Sequence, residues 1–397
     1  MNRAAKGCSN FGGVAAARLE YCRNSTMELF GRYGYQPFSP AEFQLAEDVW
    51  QNLSPACANR LIPFMSPYGE PCVLRGDLTL SAAAYLASHF ESDERPLRLS
   101  YAERVFSVPL PPKTNLEENQ VGIELIGWED AGADAEVVSL LFRALDRLSI
   151  EKSAVVLGDA SVTAHLFGGM GRSGALLVSA LQKGSYTEYL HILDKTSPPQ
   201  EQEALLRALP YLRGDAAVID EASAMCVSPQ IFQPLKNLCS VLNGLGYSER
   251  VKVDLSFVRD LGYYSGPIFN AYCGKTNALL GGGGRYDGLL GQLGIDGQAA
   301  GFALNIKELA ERCTENCSQK RVMVRCGANA AAALRYADAL CRKGVTFELS
   351  WNKDKSESAR LAALRGCCWL VDYETKSAVK LASQKTFPLA VFESEAC

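Results

Sequence analysis

The sequence predicts an α+β protein of two domains, and three observations carry that prediction. Between 98 and 127, and again between 258 and 290, apolar and polar residues alternate at the two-residue period of strands. Across 160–249 the period becomes helical, in runs such as GALLVSALQKG, EQEALLRALPYL and QIFQPLKNLCSVLNGLG, and strand-like sequence resumes only at VKVDLSFV. This marks a helical insertion. The last 78 residues, 320–397, alternate β-α-β-α-β, the pattern of a small α/β domain with parallel strands. At 397 residues, 48% hydrophobic and 21% charged, the chain is long enough for both cores.

Taken in order, residues 14–33 carry Leu19, Cys22, Thr26, Phe30 and Tyr33 at helical spacing, and the helix ends at Gly34, a natural left-handed position. In GYQPFSP, Pro37 and Pro40 favour an edge or interface strand. EPCVLRGDLTLSAAAYLAS reads as a strand through Val73 and Leu74, a polar turn at Arg75 to Asp77, and a helix capped by Asp77 or Thr79. RLSYAERVFSV and QVGIELIGW form a long hairpin around the proline-rich PLPPKTNLEEN. Asp134 opens a helix with Ala135, Val138, Leu141, Leu145 and Leu148 along one side, and SAVVL is a buried strand that stops at Gly158 and Asp159. After the insertion, FALNIKELAERC reads as helix and CTENCSQK as a linker. The terminal domain takes RVMVRCG, VTFELSW and CCWLVDYE as strands, with helices at AAAALRYADALCRKG and 357–365.

A formal net charge of −4 lacks the basic footprint of nucleic-acid binders, so no nucleic-acid partner is expected. No stretch approaches the roughly 18 to 20 apolar residues of a membrane span, and MNRAAKGCSN lacks the apolar core of a signal peptide. The expectation is a cytoplasmic protein with no membrane partner. Fourteen cysteines are dispersed along the chain, with Cys22, Cys239 and Cys341 in apolar helical patterns where cysteine acts as a small hydrophobe. Cys313 with Cys317, or Cys367 with Cys368, are the alternatives for metal or redox chemistry, but three histidines and no paired CxxC motifs argue against a metal site. Neither metal nor cofactor is expected.

Two stretches carry the chemistry. In VRDLGYYSGPIFNAYC, Tyr263, Ser265, Pro267 and Phe269 alternate with Tyr264, Gly266 and Ile268, so a strand would turn one tyrosine to a pocket and pack the other beneath. Gly281 to Gly284 then clear every side chain where backbone approaches a ligand or a neighbouring strand, a tight bend being the plainer reading. On QVGIELIGW, Gln120, Gly122 and Glu124 share one strand face. That set suits a small polar molecule, and a solvated strand face is the alternative.

In their order along the chain, these segments resemble the histidyl-tRNA synthetase group of class II synthetases across nearly the whole length. IELIGWEDAGADAEVV is similar to the group's amino-acid pocket floor and following helix, and RDLGYYSGPIF to its histidine signature of the form R-G-L-D-Y-Y-T-G. GGGGRYDGLL and GFALNIKEL continue in the expected sequence. The resemblance implies a class II aminoacyl-tRNA synthetase-like antiparallel sheet flanked by helices over 1–312, an anticodon-binding-like α/β domain over 320–397, and a homodimer formed through the first helix and the GYQPFSP strand. It also implies a histidine site, with Asp77 and Thr79 at the α-ammonium, Gln120 and Arg259 near the carboxylate, and Glu124 accepting from the imidazole. Tyr263 and Tyr264 would shape the ring pocket, and Gly282, Gly283 and Arg285 its wall. An anionic Glu124 favours an imidazole N–H, and Arg259 suits a carboxylate through charge-assisted hydrogen bonds.

The departures define the function. The group's F-R-x-E run for ATP phosphate and adenine is here Phe106, Ser107, Val108, Pro109, and its third-motif arginine is replaced in the run Lys307, Glu308, Leu309. At roughly 1.5 to 3 kcal/mol per charge-assisted bond, two missing arginines cost about 3 to 6 kcal/mol, or two to four orders of magnitude in ATP affinity or turnover. Adenylation is not expected, and no residue is assigned as catalytic. Within the signature, the aspartate and glycine positions are exchanged at Asp260 and Gly262. A synthetase fold that keeps a histidine site and loses its ATP groups resembles the regulatory subunits of ATP phosphoribosyltransferase. That resemblance implies a non-catalytic subunit, histidine as effector, and a short-form catalytic subunit as partner in a hetero-oligomer at the first step of histidine biosynthesis. A stand-alone histidine sensor and an active histidine-tRNA ligase are the alternatives.

Overall fold

The computed structural model describes residues 4–50, 53, 55–90, 95–110, 114–196, 198–259, 262–314 and 321–396. Asp260, Leu261 and Cys317 lie outside the described residues. The chain divides into two compact units, Met1–Glu315 and Asn316–Cys397.

The first unit is built on a nine-stranded sheet. The long hairpin pairs Leu97–Phe106 with Glu117–Ile126 in antiparallel register from Leu97 opposite Ile126 to Phe106 opposite Glu117. Outside it, the edge strand Gln36–Pro37 runs parallel to Leu97–Phe106. Inward from the hairpin follow Ala299–Asn305, Ala278–Arg285, Pro267–Cys273 and Ser153–Asp159, all antiparallel to their neighbours. Val251–Asp254 then pairs parallel to Ser153–Asp159, and Arg213–Gly214 closes the far edge. Helix Gly13–Arg32 buries Cys22, Thr26 and Phe30, and Phe30 meets the Phe302 ring edge-on at 5.7 Å, which seats the helix on the sheet. Gly34 follows it with a φ of 82°, the left-handed conformation glycine adopts without penalty.

Several expectations change in detail, each for a local physical reason. Helix Ala131–Arg147 is capped by Asp130, whose carboxylate accepts from the amides of Gly132 and Ala133 at 2.6 and 3.1 Å. Asp134 lies inside the first turn, buried. Phe302 to Asn305 belong to a strand, and the helix begins only at Ile306, where the Asn305 side chain caps the amides of Lys307 and Glu308. Arg75, expected in a polar turn, faces inward. It is fully buried, donating to the carbonyl oxygens of Arg104 at 2.6 Å and of Pro40, and pairing with Glu103 at 3.0 Å. Pro71–Leu74 is the middle strand of a separate three-stranded sheet with Phe43–Leu45 and Ile62–Met65.

Within 160–249 lie helices Ala160–Phe167, Gly171–Gln182, Tyr186–Lys195, Gln200–Ala208, Ala217–Ala224 and Gln233–Gly244. Leu177, Tyr189, Leu193, Leu205, Leu235 and Leu238 are fully buried among them. In the second unit, Arg321–Arg325 lies parallel between Thr346–Ser350 and Trp369–Asp372, with helices Ala330–Arg342 and Lys355–Leu364. The sheet then turns antiparallel through Ser377–Lys380 and Lys385–Pro388, so it is mixed rather than wholly parallel. Cys22 and Cys239 are buried as expected of small hydrophobes, whereas Cys341 is exposed. Among the described residues no helix is long and apolar enough to cross a membrane, and no group of three or more His, Cys, Asp and Glu is placed to hold a metal ion.

Candidate functional site

Gly281 to Gly284 form no turn. They run through the strand Ala278–Arg285, between Pro267–Cys273 and Ala299–Asn305. A Cβ on Gly281 or Gly283 would run into the carbonyl oxygens of Ala303 or Gly301, and one on Gly282 into Phe269 and Arg259. The glycines therefore admit neighbouring backbone on one side and a functional side chain on the other. Over this bare strand and its neighbours opens a cavity of about 850 Å³, lined in part by Asp77, Thr79, Gln120, Arg259, Tyr263 and Tyr264.

At its floor Glu124 is fully buried. One carboxylate oxygen accepts from Thr79 Oγ1 at 2.7 Å and the Tyr101 hydroxyl at 3.0 Å, the other from the Tyr286 hydroxyl at 2.6 Å. Gly301 makes room for this acid, because a Cβ there would overlap it. Burial pushes the Glu124 carboxyl up to about 7, against the pull of its three hydroxyl donors. Thr79, Tyr101, Tyr286 and Gly301 line the cavity, and Glu124 lies behind them, joined to it through the hydroxyl array.

Asp77 splits its carboxylate between two tasks. Oδ1 accepts from the Leu80 amide at 2.7 Å and caps helix Leu78–His89, while Oδ2 accepts from the Tyr263 hydroxyl at 3.2 Å. Burial raises its pKa, opposed by the helix amide, the Tyr263 hydroxyl and the charge of Arg259. Arg259 Nη1 donates to the Phe269 carbonyl at 3.0 Å and to Asn270 Oδ1 at 3.2 Å, with the Tyr264 ring 5.2 Å from the guanidinium carbon. Among the described residues its other N–H groups, and the Gln120 side chain, have no hydrogen-bond partner.

The structure thus gathers Asp77, Thr79, Gln120, Arg259, Tyr263, Tyr264, Gly282 and Gly283 around one cavity. The two tyrosines do not face opposite sides, since the strand begins only at Pro267 and their rings lie 5.0 Å apart. Arg285 is not part of the wall. It is buried away from the lining, 2.9 Å from Asp134 and donating to the Trp128 carbonyl at 3.1 Å, because the helix Ala131–Arg147 brings it a carboxylate. Glu308 lines the cavity, but its charge is paired with Arg312 at 2.8 Å. Sequence reasoning missed Tyr101, Tyr286, Asn270 and Arg60, whose guanidinium binds Ser107 Oγ at 3.2 Å and the Val108 carbonyl at 3.1 Å. Asn270 left a signal, since asparagine is depleted in strands and here stands between Phe269 and Ala271.

Residues 7–309 match the family model described as Histidyl-tRNA synthetase. The structure of an ATP phosphoribosyltransferase regulatory subunit/histidyl-tRNA synthetase from Bacillus halodurans has a TM-score of 0.81 at 24% identity, covering 94% of this chain and 97% of its own. A histidyl-tRNA synthetase from a Nostoc species has a TM-score of 0.83 at 17% identity, covering 100% and 98%. Fold and family model therefore define a class II synthetase-like chain of the histidyl type. The ATP phosphoribosyltransferase regulatory subunit of Moorella thermoacetica is 31% identical over 362 residues, 88% of this chain and 93% of that one. The chain belongs to the histidyl-tRNA synthetase-like family of ATP phosphoribosyltransferase regulatory subunits.

Proposed function

We propose that the chain binds histidine in this cavity and, without catalysing adenylation itself, confers activation and feedback inhibition on a short ATP phosphoribosyltransferase catalytic subunit. Asp77 would take the α-ammonium with Thr79 beside it, Gln120 and Arg259 the carboxylate, and the Glu124 hydroxyl array the imidazole N–H, with Tyr263 and Tyr264 shaping the ring pocket. One observation carries the reading. The cavity keeps an acid, an arginine without an ion-pair partner among the described residues, and paired aromatics, while the positions of the ATP motifs hold Ser107, Val108, Pro109 and a Glu308 paired with Arg312. Couplings of about 1 to 3 kcal/mol between histidine and the partner suffice for such control. A homodimer through the first helix and the Gln36–Pro37 strand would form the regulatory half of the cytoplasmic hetero-oligomer. The C-terminal unit would serve as an anticodon-binding relic or a contact surface.

The test is co-purification with a short catalytic subunit followed by an assay of phosphoribosyl transfer with and without histidine. Activity that requires both chains and falls on adding histidine supports the reading. Histidine-dependent exchange of pyrophosphate into ATP by this chain alone would replace it with an active synthetase.

A further inference from the structure

We propose that Asn270 is a positioning residue that holds Arg259 without neutralising it, and that this makes the cavity select ligands carrying a carboxylate. The proposal rests on the histidine reading above. Arg75, Arg285 and Arg325 are the buried arginines of the described residues, and each is anchored by a carboxylate, from Glu103 at 3.0 Å, Asp134 at 2.9 Å and Asp372 at 2.9 Å. Arg259 is anchored differently. Its Nη1 is held by two uncharged acceptors, the Phe269 carbonyl and Asn270 Oδ1.

The geometry around Asn270 is built for this. Its Nδ2 donates to the Tyr272 hydroxyl at 3.2 Å, which turns Oδ1 toward Arg259. Opposite it in register stands Gly282, where a Cβ would run into both Arg259 Nη1 and Asn270 Oδ1. Tyr264 backs the guanidinium. A neutral amide supplies a hydrogen bond and an orientation while leaving the full positive charge, with the remaining N–H groups, to the cavity. A carboxylate in the same place would spend that charge inside the protein. Asp77, whose carboxyl feels the Arg259 charge, supplies the opposite sign for an ammonium.

The test is calorimetric titration of the full chain with histidine and with histamine, which has the same ring and amine but no carboxylate. In Asn270→Asp the histidine affinity should fall about tenfold or more while the histamine affinity holds. Asn270→Ser, a smaller neutral acceptor, should keep the histidine-to-histamine ratio within a few-fold. Asn270→Leu, which lacks the acceptor, should lower the ratio as well and carries the test if the aspartate variant does not fold. Equal losses for both ligands, or an unchanged ratio in the aspartate and leucine variants, overturn the proposal and leave the histidine reading standing. A wild-type chain that binds neither ligand overturns both.

Discussion

Arg285 ends the glycine strand and Arg259 precedes the strand beside it, yet the first is buried against Asp134 at 2.9 Å while the second rests on the Phe269 carbonyl and the Asn270 amide. Both lie within segments that resemble the histidyl-tRNA synthetase group, Arg259 in the histidine signature and Arg285 in the glycine-rich run that follows. The charge of the partner separates them: a buried carboxylate makes an arginine part of the framework, and a neutral anchor leaves it available to a ligand. Motif membership alone does not distinguish the two.

The contrast can be broken most directly from the framework side. Asp134→Ala leaves Arg285 buried without its main counter-charge and should cost about 3 to 5 kcal/mol of stability by urea unfolding. A loss under about 1 kcal/mol would remove the distinction. The acid beneath the cavity offers the next largest effect. The Glu124 carboxyl sits at about 7 in the folded chain against the usual 4.5, so between these values the folded state holds more protons than the unfolded one and stability falls as pH rises. The fall amounts to about 3 kcal/mol once pH passes 7. Glu124→Gln should flatten that part of the pH–stability curve, which denaturant melts at pH 4.5 and 8 would show, and should also weaken histidine binding.

Arg259→Leu should lower histidine affinity about tenfold to a hundredfold by calorimetry while changing unfolding free energy by less than about 1 kcal/mol. A large loss of stability with unchanged affinity would move Arg259 to the framework class. The smallest effect is that of Tyr263→Phe, which removes the hydroxyl that bonds Asp77 and should cost about 0.5 to 1.5 kcal/mol in histidine binding. Unchanged affinity would detach Asp77 from the ligand.

The sequence made legible whatever depends on near neighbours. The hairpin Leu97–Phe106 and Glu117–Ile126 followed from its two-residue period, and the left-handed end at Gly34 from the absence of a Cβ. The face shared by Gln120 and Glu124 was readable in the same way. The glycine strand was not, because strand periodicity is written in side chains and Gly281 to Gly284 have none. Arg285 was misread since its partner, Asp134, lies 151 residues away and only the fold brings it near. The hydroxyl array on Glu124 was hidden likewise, as Thr79, Tyr101 and Tyr286 come from a helix, a strand and a loop. The helix was expected to open at Asp134, but Asp130, four residues earlier, caps it, which leaves the Asp134 carboxylate for Arg285.

The run Gly281 to Gly284 has a consequence for how such a chain tolerates mutation. A larger residue at any of these positions is refused by the backbone of an adjacent strand, whatever the cavity contains. The constraint on this wall therefore comes from folding and is independent of the ligand. A cavity built this way keeps this part of its outline whatever it holds.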